Sequence, residues 1–285
     1  MTGLAFWAHI LKNTWLQIDE RNLGLIAAGV GFFAMLAVFP GIAAVIALWG
    51  FVSDPSVVAG QMELLRPLLP PDVFDLINGQ VEGVIGQGRG TLGWASLLSV
   101  GFALWSARAG VGAMMRGMNE IYRKRNRSSL RHYFAASVMT LGLVGVSLVA
   151  LAAIVVVPVA MNFVPLEVET ASYINLLRWM AALGALLAGI GMIYRYGPNR
   201  RGARPTMILP GVVFAVLLWG AVSAAFSTYL TNFGNYNEVY GSIGAVIALL
   251  VWLYLSAFLV LLGAALNAEI ERQLIARDMG KAREA

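Results

Sequence analysis

Three observations predict an all-α integral membrane protein with six transmembrane helices and both termini in the cytoplasm. The first is composition. Of 285 residues, 59% are hydrophobic and 12% are charged. Soluble domains run at about 45–50% apolar and about 25% charged. A chain with half the usual charge cannot cover a water-facing surface, which argues against a soluble enzyme and a disordered protein. With no Cys, it is not a disulfide scaffold either. The second observation is where charge is missing. Long intervals free of Asp, Glu, Lys, Arg and His run between Arg21 and Asp54, Arg89 and Arg108, His132 and Glu167, Arg178 and Arg195, Arg204 and Glu238, and Glu238 and Glu269. A bilayer core takes about 20 helical residues, and backbone in lipid must satisfy its own hydrogen bonds. Spans are therefore expected at 24–50, 91–107, 134–158, 179–195, 208–230 and 241–266. The third observation is how basic residues sort. Of the 20 Lys and Arg, only Arg66, Arg89 and Arg178 fall on one side of this six-span layout. The positive-inside rule then places both termini in the cytoplasm.

The elements follow in order. Leu4, Trp7, Leu11, Trp15 and Ile18 recur at helical spacing, so residues 1–21 form an amphipathic helix in the cytoplasmic interface. The first span is too long for a cleaved signal peptide and lacks its cleavage pattern. The first outside loop is broken by Pro70-Pro71-Asp72. Val73, Leu76, Ile77, Val81, Val84 and Ile85 then mark a second amphipathic helix over 72–86. After the second span, Val111, Met114, Met115, Met118 and Tyr122 share a helical face ahead of the basic cluster Arg123, Lys124, Arg125, Arg127 and Arg131. The cluster reads either as a topology determinant or as a site for anionic lipid headgroups. Pro40, Pro158 and Pro210 should bend or end the first, third and fifth spans. Opened backbone at Pro40-Gly41 would face protein or a wet cavity, as discontinuous helices do in transporters. The whole chain, 1–285, reads as one membrane domain with a cytoplasmic tail at 267–285.

Chemistry is sparse. No ionisable residue lies deep in any expected span. Arg108, Glu238 and Glu269 stand at span ends, and Asn267 and Glu269 close the last one. Ion-coupled transporters usually keep a buried ionisable group. There is no HExxH, no phosphate-binding loop and no Cys/His cluster. His9 and His132 stand beside no motif that would make either a base. Neither an enzyme nor a resident metal or cofactor is expected.

Several stretches resemble one family. Tyr240-Gly241-Ser242-Ile243-Gly244-Ala245-Val246-Ile247, Trp252-Leu253-Tyr254 and Leu262-Gly263-Ala264, with Asn267 and Glu269, resemble the last-helix signature of the YihY/BrkB family. Ala28-Gly29-Val30-Gly31-Phe32-Phe33 through Phe39-Pro40 resembles its first-helix motif. Trp105-Ser106-Ala107-Arg108, Asn119, Tyr122 and Tyr196-Gly197-Pro198-Asn199 resemble its middle. The resemblance covers roughly residues 10–272. It implies a multi-pass protein of the bacterial inner membrane tied to envelope integrity. Some members have carried the label ribonuclease BN. RNA hydrolysis needs metal ligands or an acid–base pair, which this chain does not display, and its basic patches offer only nonspecific attraction to phosphate. The family commonly has Glu after Gly-Ala in the last helix, where this chain has Ala265. A role for that carboxylate does not carry over.

Three functional readings remain open. One is a transporter or translocator of a lipid-like or amphipathic envelope component. Another is a non-transporting scaffold for envelope proteins, and the last is a monovalent-cation exchanger. Substrate-binding or gating candidates are Pro40, Gly41, Arg108, Asn119, Tyr240, Asn267 and Glu269. The expected partners are membrane lipids, especially anionic headgroups on the cytoplasmic side, and an envelope protein, with no nucleic acid.

Overall fold

The computed structural model describes residues 3–52, 79, 89–161, 168–200, 207–232 and 242–284. All regular elements among them are helical: α1 Gly3–Glu20, α2 Leu23–Val52, α3 Arg89–Ile121, α4 Ser129–Leu151, a π-helical turn Ala152–Val156, α5 Val157–Met161, α6 Val168–Tyr196, α7 Leu209–Asn232 and α8 Ser242–Glu284. Six stretches are long and apolar enough to cross a membrane: Leu23–Ile42, Leu97–Ile121, Ser129–Ile154, Glu169–Tyr196, Leu209–Leu230 and Gly244–Ala276. Of the expected helix at 72–86 only Gly79 is among the described residues, and Tyr240 lies outside them.

Several boundaries differ from expectation. The second span does not stop before Arg108. No Pro interrupts 108–121, and Met114, Met115, Met118 and Ile121 are buried, so the stretch expected to lie apart in the interface simply continues α3. Arg108 is therefore well inside a candidate span. α8 likewise runs on past 266, which puts Asn267 and Glu269 within the helix rather than at its end. α6 is also longer than 179–195, extending from Val168 to Tyr196.

The prolines act in three different ways. Pro40 sits inside α2, and helix continues on both sides. Pro158 follows the π-helical turn, where the Val157 N–H bonds five residues back to the Ala152 carbonyl. A proline ring clashes with the carbonyl four residues before it. The wider π turn clears that carbonyl, that of Ile154. Pro210 is the second residue of α7, where a missing N–H costs nothing, so it starts that helix instead of bending it.

The chain divides into two compact units. One comprises Met1–Ala28, Val111–Val222 and Ser256–Ala285, and the other Gly29–Gly110 and Ser223–Leu255. In the first, Met115 packs with Ala136 and Met139 of α4. Ile10 of α1 packs with Leu266 and Ile270 of α8. The second unit is closed by backbone proximity. A side chain at Gly31 would begin 3.1 Å from the backbone nitrogen of Tyr254, so any larger residue there would push that backbone away by a few tenths of an ångström. In the same unit the Trp252 indole N–H donates to Ser223 Oγ at 3.4 Å.

α1 is inverted relative to a soluble amphipathic helix. Its packed face carries Ile10, Thr14 and Gln17, all buried. Trp7, Leu11, Trp15 and Leu16 point outward, and Trp15 is 73% exposed. Only Arg21 and Asn22 separate α1 from α2, and Asn22 takes a left-handed conformation at the corner (φ 50°).

Candidate functional site

The first unit holds four polar clusters, each built where a helix ends. One starts from Asn267. Its Oδ1 accepts from the Gly211 N–H at 2.7 Å, and its Nδ2 donates to the Ile208 carbonyl at 2.8 Å. The N-terminus of α7 has backbone N–H groups without helical partners. A single amide from α8 thus supplies both an acceptor and a donor at that end. The fit requires close approach. A side chain at Gly211 would collide with the Gly263 carbonyl and with Asn267. Beside this crossing the buried Tyr194 hydroxyl donates to the Val260 carbonyl at 2.7 Å.

A second cluster surrounds Glu269. Its carboxylate accepts from Asn13 Nδ2 at 2.9 Å, Gln273 Nε2 at 3.0 Å and Arg272 Nη1 at 2.9 Å. Arg272 Nη2 donates to the Ile121 carbonyl at 2.7 Å and to Gln17 Oε1 at 3.3 Å. The last carbonyls of a helix attract cations, so Arg272 caps α3 while Glu269 holds it there. Asn13 also meets His9 Nε2 at 3.0 Å.

In the third cluster Arg200 Nη1 donates to both Glu271 oxygens, at 2.9 and 3.0 Å. Its guanidinium also lies over the Tyr122 ring, 4.4 Å from the centroid. Burial pushes the Tyr122 phenol up to about 12.

The fourth cluster joins the α3–α4 turn to the end of α6. α3 ends in a Schellman pattern, with Arg123 N–H to the Glu120 carbonyl at 3.2 Å and Lys124 N–H to the Asn119 carbonyl at 2.8 Å. Arg123 takes the left-handed position (φ 52°). Asn119 is fully buried. It donates to Asn126 Oδ1 at 2.8 Å and accepts from the Asn199 N–H at 2.7 Å. Asn199 Nδ2 in turn donates to the Arg125 carbonyl at 2.9 Å. Arg127 donates to the carbonyls of Gly197, Tyr196 and Pro198 at 2.9, 3.1 and 3.2 Å. Burial lowers the pKa of that guanidinium.

The residues that the sequence singles out therefore separate. Asn119, Asn267 and Glu269 sit in helix-end clusters of the first unit. Of the basic cluster, Arg127 is committed to carbonyls, whereas Arg123, Lys124, Arg125 and Arg131 are exposed. In the second unit, Arg108 lies eleven residues after Leu97 and thirteen before Ile121, partly exposed. Ser106, two residues earlier, is fully buried, and its hydroxyl has no hydrogen-bond partner among the described residues. Pro40 and Gly41 are half-buried, with open space where a Gly41 side chain would begin. Sequence reasoning missed Asn13, Gln17, Tyr122, Asn199, Arg200, Glu271 and Arg272 as partners. For Glu271 and Arg272 the signal was the close spacing of polar residues from Asn267 to Gln273 in an otherwise apolar helix, and for Tyr122 and Asn199 it was the family resemblance. Among the described residues, no three His, Asp or Glu gather as a metal ion would need.

Six apolar crossings with polar clusters at the helix ends define a multi-pass α-helical membrane protein. The chain belongs to the family described as Virulence factor BrkB, whose model matches residues 14–285. It is 30% identical over 258 residues to the protein named "Putative ribonuclease-like protein YfkH" of Bacillus subtilis, covering 87% of this chain and 90% of that one. It is 25% identical over 268 residues to the UPF0761 membrane protein VSAL_I2938 of Aliivibrio salmonicida, covering 93% and 83%. A UPF0761 membrane protein of Pseudoalteromonas atlantica is 26% identical over 272 residues, covering 93% and 87%. No solved structure matches.

Proposed function

We propose that the protein sits in the bacterial inner membrane with both termini in the cytoplasm and translocates an anionic amphiphile of the cell envelope. One observation carries this reading: the helix runs unbroken through Arg108, which lies within the candidate span Leu97–Ile121 instead of closing it. A guanidinium at that depth is costly in a bilayer, and intramembrane ionisable groups tend to mark transport pathways. Its planar fork of donors suits phosphate or carboxylate headgroups. The surrounding spans are apolar, which suits acyl chains.

The cation-exchanger alternative loses ground at Glu269. That carboxylate is held by three donors, one of them Arg272, so an ion would have to displace an ion pair. The scaffold alternative draws on residues 72–86, of which only Gly79 is among the described residues. The reading assigns no catalysis to this chain. The word ribonuclease in the name of the Bacillus relative describes that relative alone.

The test is lipid movement in proteoliposomes containing labelled phosphatidylglycerol. Protein-dependent flipping should fall about tenfold to hundredfold in Arg108→Ala, the scale of one lost charged hydrogen bond, and survive in Arg108→Lys. No protein-dependent movement across anionic and zwitterionic lipids would overturn the reading.

A further inference from the structure

We infer that the turn between α3 and α4 is a preorganised receptor for the phosphate of an anionic membrane lipid. The inference stands apart from transport and requires only that α4 crosses the bilayer.

Arg123, Lys124, Arg125 and Arg131 are all exposed and close in sequence. Arg131 stands in the first turn of α4, and three like charges on a loose turn before it would spread apart and collect counterions. This turn is not loose. Asn119 holds Asn126, Asn199 holds the Arg125 carbonyl, and Arg127 grips three successive carbonyls at the end of α6. Arg125 and Arg127 are thus tied to the end of α6, and Asn126 between them to α3. Arg123 moreover occupies a left-handed position that favours glycine, yet presents a cation there. Arg123 and Lys124 are fixed on the capped end of α3 and the Arg125 carbonyl on Asn199, so an arriving phosphate meets a backbone that is already set.

The second part of the argument is depth. α4 begins at Ser129, and its candidate span begins at the same residue. Leu130 is 82% and Phe134 71% exposed in its first turns. Apolar side chains there call for acyl chains, which places the preceding cations at headgroup level. The occupant that satisfies both halves is a phospholipid with net negative charge. A topology signal alone needs only the charge and has no use for a hydrogen-bonded turn.

That difference sets the experiment. The full chain is purified in detergent with equal amounts of phosphatidylglycerol and phosphatidylcholine, and retained lipid is measured by mass spectrometry. The wild type should retain phosphatidylglycerol preferentially. Asn126→Ala with Asn199→Ala leaves every charge in place and should lose that preference several-fold. Arg123→Gln, Lys124→Gln and Arg125→Gln together should lose about fivefold per charge removed. Thermal unfolding checks each variant. If the Asn pair does not fold, Asn126→Ala alone, at an exposed side chain, takes its place and should lose part of the preference. An Asn variant with undiminished preference would reduce the site to smeared charge and overturn the inference, as would a wild type without preference. Inorganic phosphate should fail to displace the lipid. Displacement at equal concentration would mean that the acyl chains contribute nothing, which also overturns it.

Discussion

Asn267 shows how much one side chain can decide. A buried amide without partners costs about 1–3 kcal/mol, but this one meets both a donor and an acceptor at the start of α7. The contact exists only because Gly211 and Gly263 let two helices touch. Gly211→Ala should therefore destabilise the protein by about 1–3 kcal/mol, the usual cost of overpacking against backbone. Gly220→Ala is the control, because a side chain there meets nothing within 4 Å. Thermal unfolding in detergent compares the two, and equal midpoints would refute the account. At this scale the sequence is partly legible. Asn119, Asn267 and Glu269 stand out as polar residues among apolar ones. Their partners do not, because Asn13 and Glu269 are brought together from opposite ends of the chain.

Among the elements, α1 is legible as a helix and opaque in its packing. Periodicity marks the stripe of Trp7, Leu11 and Trp15, and that stripe faces outward. The protein side is taken by Ile10, Thr14 and Gln17, whose polar members look like a solvent face in sequence. α2 follows after two residues, so α1 is expected to lie close to the membrane surface. Trp7→Ala with Trp15→Ala should change stability in detergent by only about 0.5 kcal/mol, since Trp15 is largely exposed and half-exposed Trp7 keeps one edge contact, with Phe6. The same double variant should lose part of the tryptophan quenching by lipids brominated near the headgroup. Undiminished quenching would place α1 off the bilayer. α3 teaches the reverse lesson. Arg108 looks like a boundary because charges usually end spans, but a helix ends where its backbone is capped. That happens at Arg123.

For the whole molecule, the charge pattern makes an orientation claim that the packing of the helices does not contain, since nothing in that packing marks the two sides of a membrane. The chain has no Cys, so single introduced cysteines report sidedness cleanly. Asn126→Cys and Lys281→Cys should react with an impermeant maleimide only after the membrane is opened, and Arg66→Cys should react in intact cells. Labelling of position 126 from outside would invert the topology.

The number of spans, their helical nature and the bilayer as solvent follow from composition and the placement of a few charges, because hydrophobic burial is additive and read one residue at a time. Pairing is not additive in that way. Which carbonyls Arg127 and Arg272 would cap, which glycines would touch, and that a basic turn would be held rigid by three asparagines all depend on residues far apart in the chain meeting at hydrogen-bond distance. Only the packed helices bring them there.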